Sequence, residues 1–187
     1  KVLNAPTVRV AIEDKARRKG ISVEKARKVA AKYVTEIAAN YSYNAIVMAE
    51  TLVGWFWNRI YNGIKLKNFE DLQHHALGHE VIYVPCHRSH LDYVLISYLI
   101  HEHGSTPPHI AAGLNLNLPV VGPLLRRCGA FFLRRSFRSQ KLYAAVFYEY
   151  LSVIQTQGVS LEYFIEGTRS RTGRMLPPKG GMLAMSV

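Results

Sequence analysis

Hydrophobic and polar positions follow a helical period over residues 1–79 and change character at Glu80. Ser22 is suited to cap a helix over residues 23–40, where alanine, lysine and glutamate predominate. A second helix is predicted over 41–61. It carries Ile46, Val47, Ala49, Leu52, Val53, Trp55, Phe56, Trp57 and Ile60, and Asn62-Gly63 ends it with a glycine able to turn left-handed. Asn68 with Asp71 three residues on reads as a capping box for a short helix ending near Gly78. The Trp55–Trp57 cluster is expected in the core, with a membrane-interface anchor as the alternative. No motif in this segment carries chemistry.

After Glu80, short apolar runs at 81–84, 109–112, 130–133 and 161–165 have the length of buried strands. Between them, helices are predicted over 91–101, 119–128 and 139–157, with Gly129 and Gly158 as stops. This alternation predicts an α/β fold. We expect a mixed, mostly parallel sheet flanked by helices over residues 80–187, preceded by the helical segment 1–79. Three of the strands run into polar residues: His87 and Asp92, then Arg134 and Arg135, then Glu166 to Arg171. If those strands lie parallel, the three sets meet at one sheet edge, where such folds place their ligands.

Composition narrows the class. A chain of 187 residues at 49% hydrophobic content is one globular domain, not a disordered segment. No apolar run reaches the roughly 18–20 residues needed to span a bilayer. The nearest, 46–60, is interrupted by Glu50, Asn58 and Arg59. A start at Lys1 and a stop at Val187 without a closing element lead us to expect an internal piece of a longer protein. Cys86 and Cys128 form no disulfide framework or zinc spacing, and buried free thiols are expected. The net charge is +11, and ten lysines and arginines against three acids between Arg126 and Lys179 place +7 of it there. Phosphorylated small molecules, an anionic membrane or nucleic acid are the partners such a stretch suits.

His87 and Asp92 are a candidate base and its orienting acid. A purely structural reading competes: Ser89 as N-cap with Asp92 as its third-position carboxylate. The two are compatible, because a rigidly held acid can fix an imidazole tautomer. No G-x-S-x-G motif supplies a nucleophile, and Cys86 beside His87 would point to the opposite face of a strand. The histidine spacing matches no zinc motif. The arginines are either a solvated basic surface or bidentate phosphate ligands, with Gly167 allowing close backbone approach. Glu166 is either their charge partner or an acceptor for substrate hydroxyls. Nucleic-acid binding is disfavoured, since the interleaved aromatics follow core periodicity and no recognition motif is present.

His87-Arg88-Ser89-His90-Leu91-Asp92 resembles the H-x4-D motif of the glycerolipid acyltransferase superfamily. Gly129-Ala130-Phe131-Phe132-Leu133-Arg134-Arg135 resembles its second block, and Phe164-Ile165-Glu166-Gly167-Thr168-Arg169-Ser170-Arg171 its third. Val84-Pro85-Cys86-His87, His109-Ile110-Ala111-Ala112-Gly113 and Ser170-Arg171-Thr172-Gly173-Arg174 are more closely similar to the bacterial membrane-associated sn-glycerol-3-phosphate 1-O-acyltransferases. The resemblance implies transfer of a fatty acyl group from an acyl carrier protein or coenzyme A thioester to the sn-1 hydroxyl of glycerol 3-phosphate. The product would be 1-acyl-glycerol 3-phosphate, for phospholipid synthesis. It implies His87 as general base and Asp92 as its orienter. Arg134, Arg135, Arg169 and Arg171 would hold the phosphate, and Glu166, Gly167 and Ser170 would shape the acceptor site. No cofactor or metal and no nucleic-acid partner is implied. The expected location is the cytoplasmic face of the inner membrane, peripheral or monotopic, against an anionic surface. A fourth, proline-bearing block is expected beyond Val187. Dihydroxyacetone phosphate or lysophosphatidate as acceptor, and a non-catalytic basic binding module, are the alternatives.

Overall fold

Four strands, β1 (Ile82–Tyr83), β2 (His109–Gly113), β3 (Ala130–Leu133) and β4 (Leu161–Glu162), form one sheet in the order β1-β4-β2-β3. This is a computed structural model that describes residues 1–89, 91–137 and 139–186. His90 of the H-x4-D motif and Arg138 of the basic stretch lie outside the described residues, as does Val187. Every recorded pairing is parallel, so the expected mixed sheet is wholly parallel among the described residues. Each parallel step needs a crossover, and the helices supply it. The last strand is the informative one. β4 inserts between β1 and β2, pairing Leu161 with Ile82 and with His109.

The strands at the site are shorter than the apolar runs suggest. β4 was expected through Ile165 but ends at Glu162, although the Tyr163 N–H still donates to the Tyr83 carbonyl at 3.1 Å. The chain then curls into a turn, closed by the Gly167 N–H on the Phe164 carbonyl at 2.9 Å.

Helices α1 (Pro6–Lys19), α2 (Val23–Ile37) and α7 (Lys141–Gln155) pack on one face of the sheet. Val8, Ile12, Ala26, Ala30, Val146, Phe147 and Leu151 join Phe131 and Leu161 in a single buried cluster. Full burial of each large apolar side chain contributes about 1.5–3 kcal/mol. Ser22 caps α2, its Oγ accepting from the Lys25 N–H at 3.2 Å. This helix stops at Ile37, short of the expected Asn40, because other partners claim the backbone beyond it. Ala38 is extended, the Ala39 N–H donates to the Tyr150 hydroxyl at 3.0 Å, and Arg126 donates to the carbonyls of Glu36 and Ala38.

The opposite face carries α3 (Tyr43–Ile60), α5 (Asp92–Glu102) and α6 (Val121–Arg127), with α4 (Phe69–Ala76) and α8 (Leu183–Ser186) completing the chain. The expected capping box at Asn68 is not made: Asn68 is left-handed (φ 59°) and its side chain caps nothing. The tryptophans divide, with Trp57 buried and Trp55 65% exposed. Both cysteines are free, but Cys86 is exposed rather than buried. No described helix is long and apolar enough to cross a membrane.

Candidate active site

Because β1 and β4 run parallel as neighbours, the loops leaving their C-terminal ends lie side by side. The loop after β4 holds the backbone of His87 at both ends. The His87 N–H donates to Glu166 Oε1 at 3.0 Å, and the Ser170 N–H donates to the His87 carbonyl at 2.8 Å. The imidazole lies against the Phe164 ring, centroids 4.0 Å apart.

Asp92 is the first residue of α5, where the helix N-terminus favours a carboxylate. Its Oδ2 accepts from the Arg88 and Ser89 N–H groups, each at 2.7 Å, and faces His87 Nδ1 at 3.5 Å. The expected capping box is therefore half made. Asp92 takes the Ser89 N–H, but Ser89 Oγ accepts from Leu91 at 3.1 Å rather than from Asp92. One carboxylate thus ties the turn and stands beside the imidazole.

A cavity of about 1100 Å³ opens beside this pair, lined by His87, Arg134, Arg135, Arg169 and Arg171 together with Gly167 and Lys179. The three strand ends therefore meet, as the polar endings suggested. Their arginines have different surroundings. Arg134 makes a bidentate pair with Glu36 of α2 (2.6 and 2.7 Å) and donates to Gln140 at 2.5 Å. Its guanidinium also lies over the Tyr33 and Tyr143 rings. Hydrogen bonding to Glu36 raises its already high pKa. Glu36 and Gln140 thus engage three of its five N–H donors, and Arg134 lines the cavity alongside Arg135, Arg169 and Arg171.

Glu166 is buried, and it accepts from backbone rather than pairing with arginine. The Leu176 N–H donates to Oε2 at 2.8 Å and the His87 N–H to Oε1, and these two bonds hold its carboxyl below the usual range. Ser170 is buried, and its backbone rather than its hydroxyl reaches His87. Gly167 is left-handed (φ 64°), and a Cβ there would lie 3.0 Å from Lys179 Cδ. Lys179, read from sequence only as part of the basic stretch, is brought to the cavity by its N–H bond to the Ile165 carbonyl at 2.7 Å.

The cavity continues away from the arginines between α3 and α5, past Ala45, Met48, Leu52, Val94 and Tyr98. Gly54 permits this approach, since a Cβ there would meet the Tyr98 ring at 3.3 Å. Glu50 Oε2 and His101 Nδ1 lie 2.7 Å apart beside the limb. Below the site, Glu162 is fully buried in the sheet. Burial, and secondarily the charge of Asp92, push its carboxyl up to about 8.

The profile of the acyltransferase family matches residues 63–187. Over 186 residues, the whole chain is 59% identical to a glycerol-3-phosphate acyltransferase of Pseudomonas fluorescens strain Pf0-1. It is 58% identical over the same length to the enzymes of that name from Pseudomonas putida strain W619 and Pseudomonas syringae pv. tomato. It spans 22% of the length of each of these relatives. With its α/β fold and the matched region enclosing all three loops of the cavity, the chain belongs to the acyltransferase family.

Proposed function

We propose that this chain carries the catalytic centre of a glycerol-3-phosphate acyltransferase. The reading rests on one observation above all: His87, held beside Asp92, lines the same cavity as Arg135, Arg169 and Arg171. A glycerol phosphate bridges a base and a cluster of guanidiniums, with its phosphate on the arginines and its hydroxyl at the imidazole.

With Nδ1 turned to Asp92, Nε2 is the nitrogen that takes the proton of the sn-1 hydroxyl. The alkoxide oxygen attacks the thioester carbonyl, the C–O bond forms and the C–S bond breaks. The proton then passes from the imidazolium to the departing thiolate. Asp92 stabilises the imidazolium in between. The step needs no enzyme nucleophile and no cofactor. The donor is an acyl carrier protein or coenzyme A thioester, and the limb between α3 and α5 suits its acyl chain. Glu166, Gly167 and Ser170 act on the backbone of the acceptor loop.

The net charge of +11 and the exposed Trp55 and Ile60 of α3 suit an anionic membrane surface, at the cytoplasmic face of the inner membrane. The test is His87→Ala in the full-length protein, assayed with glycerol 3-phosphate and a long-chain thioester. We expect a loss of about 10²–10⁴-fold in kcat. Near-normal turnover by a folded variant would overturn the reading. Competition by dihydroxyacetone phosphate or lysophosphatidate measures acceptor choice.

A further inference from the structure

Beyond the turn that follows β4, the chain folds back on that turn. The Leu176 N–H donates to Glu166 Oε2 at 2.8 Å, and the Lys179 N–H donates to the Ile165 carbonyl at 2.7 Å. Further on, α8 is fastened to α7, where Gln155 Nε2 donates to the Ser186 carbonyl at 3.0 Å. Lys179 is thus carried on a segment tied down on both sides of it. The proposed reaction has given it no part.

Its side chain takes a particular path. A Cβ on Gly167 would lie 3.0 Å from Lys179 Cδ, 3.5 Å from Nζ and 3.7 Å from Cε. The end of the lysine stem is therefore laid along Gly167. A surface lysine ordinarily extends its ammonium into water on a flexible stem. This one crosses a glycine of the turn and borders the cavity, which Arg169 and Arg171 of the same turn also line. Among the described residues, no carboxylate lies within ion-pairing distance of Lys179. Glu166, the acid of the turn, has both oxygens engaged by backbone N–H groups. The ammonium is left for an anion that enters the cavity.

We propose that Lys179 is a phosphate ligand of the acceptor site, binding the phosphate of glycerol 3-phosphate together with Arg135, Arg169 and Arg171. A phosphate monoester carries about −1.5 to −2 charge at pH 7 and three strong acceptor oxygens. The arginines offer planar forks, and a lysine adds a compact point charge with three donors. Gly167 gains a second purpose beside its left-handed backbone: without a Cβ, it leaves the lysine stem its path. The proposal rests on the reading of the cavity as a glycerol 3-phosphate site. The donor's pantetheine arm also bears a phosphate, and the experiment separates the two sources.

The experiment uses the full-length protein as wild type and K179M, which keeps an unbranched stem without the charge. In steady-state kinetics, K179M should raise the KM for glycerol 3-phosphate about tenfold or more. The KM for the long-chain thioester should change less than twofold, and kcat less than threefold. An unchanged glycerol 3-phosphate KM overturns the proposal, and so does a rise confined to the thioester KM. The second readout needs no turnover and no variant. Reductive methylation of wild-type Lys179 is followed by peptide mass spectrometry, with glycerol 3-phosphate, glycerol or coenzyme A present. Glycerol 3-phosphate should slow the labelling severalfold, and glycerol should not. Equal rates with and without glycerol 3-phosphate overturn the proposal even if K179M does not fold. Protection by coenzyme A alone overturns it too, by moving Lys179 to the donor. If glycerol 3-phosphate protects Lys179 but His87→Ala retains activity, the acyltransfer mechanism has failed while the phosphate ligand stands.

Discussion

The two faces of the sheet are built to different standards. On the α1–α2–α7 face, Val8, Ala26, Ala30, Val146, Phe147 and Leu151 are sealed from solvent in one continuous cluster. On the α3–α5 face only Ile46, Trp57, Leu99 and Ile100 of the two helices are buried, and between those helices runs the cavity of about 1100 Å³. Both faces are apolar in sequence. What separates them is that the first closes on itself and the second leaves room for a ligand. Stability is concentrated on one side, so the other can remain open.

That division can be tested, starting from its most sensitive point. His87→Ala on the open face should remove activity by the factor given above while leaving the melting transition in place. Phe147→Ala on the sealed face should do the reverse, costing about 3–5 kcal/mol of stability in denaturant unfolding. An effect of comparable size, but dependent on pH, is expected at Glu162, whose carboxyl lies near 8 in the fold against an ordinary 4.5. The raised value favours the protonated, folded form. Stability relative to E162Q is therefore greatest below pH ~4.5, falls by up to about 1.4 kcal/mol per pH unit as pH rises to ~8, and is level beyond. Melting curves at pH 5 and 8 measure it, and parallel curves would remove Glu162 from the buried, uncharged state described here.

The two adjacent arginines divide along the same line. Arg135→Ala should raise the KM for glycerol 3-phosphate by about tenfold or more, the scale of a charged hydrogen bond. Arg134→Ala should act mainly on stability, because Glu36 would be left without its partner. Equal KM effects would return Arg134 to the acceptor site. The smallest change expected is Ser22→Ala, about 1 kcal/mol through the lost cap of α2 and without effect on KM.

Much of this could be read from the residues. The strand runs, the glycine stops and the polar endings located the sheet edge, on which His87 and Asp92 stand side by side. What could not be read depends on contacts distant in sequence. Both Arg134 and Arg135 line the cavity, but the pairing of Arg134 with Glu36, ninety-eight positions earlier, is announced by no local pattern. Asn68 has the letters of a capping box, yet its backbone is left-handed and turns the side chain away. Glu162 sits in the apolar run 161–165, whose pattern does not say which neighbours will cover it. Only the insertion of β4 between β1 and β2 shows that it is enclosed on both sides.

That insertion also sets an order of events. The backbone of His87 is held by Glu166, seventy-nine residues further along the chain, and β1 has no neighbour in the sheet until β4 arrives. During synthesis at about 5–20 residues per second, the histidine leaves the ribosome several seconds before the carboxylate that will hold it. Strand pairs this far apart also close slowly, because a long loop must be ordered before any contact stabilises it. A nascent chain that has passed β1 but not β4 therefore has its imidazole and no site around it. β4 is the last of the four described strands to be made, and the surroundings of His87 are assembled only once it has paired.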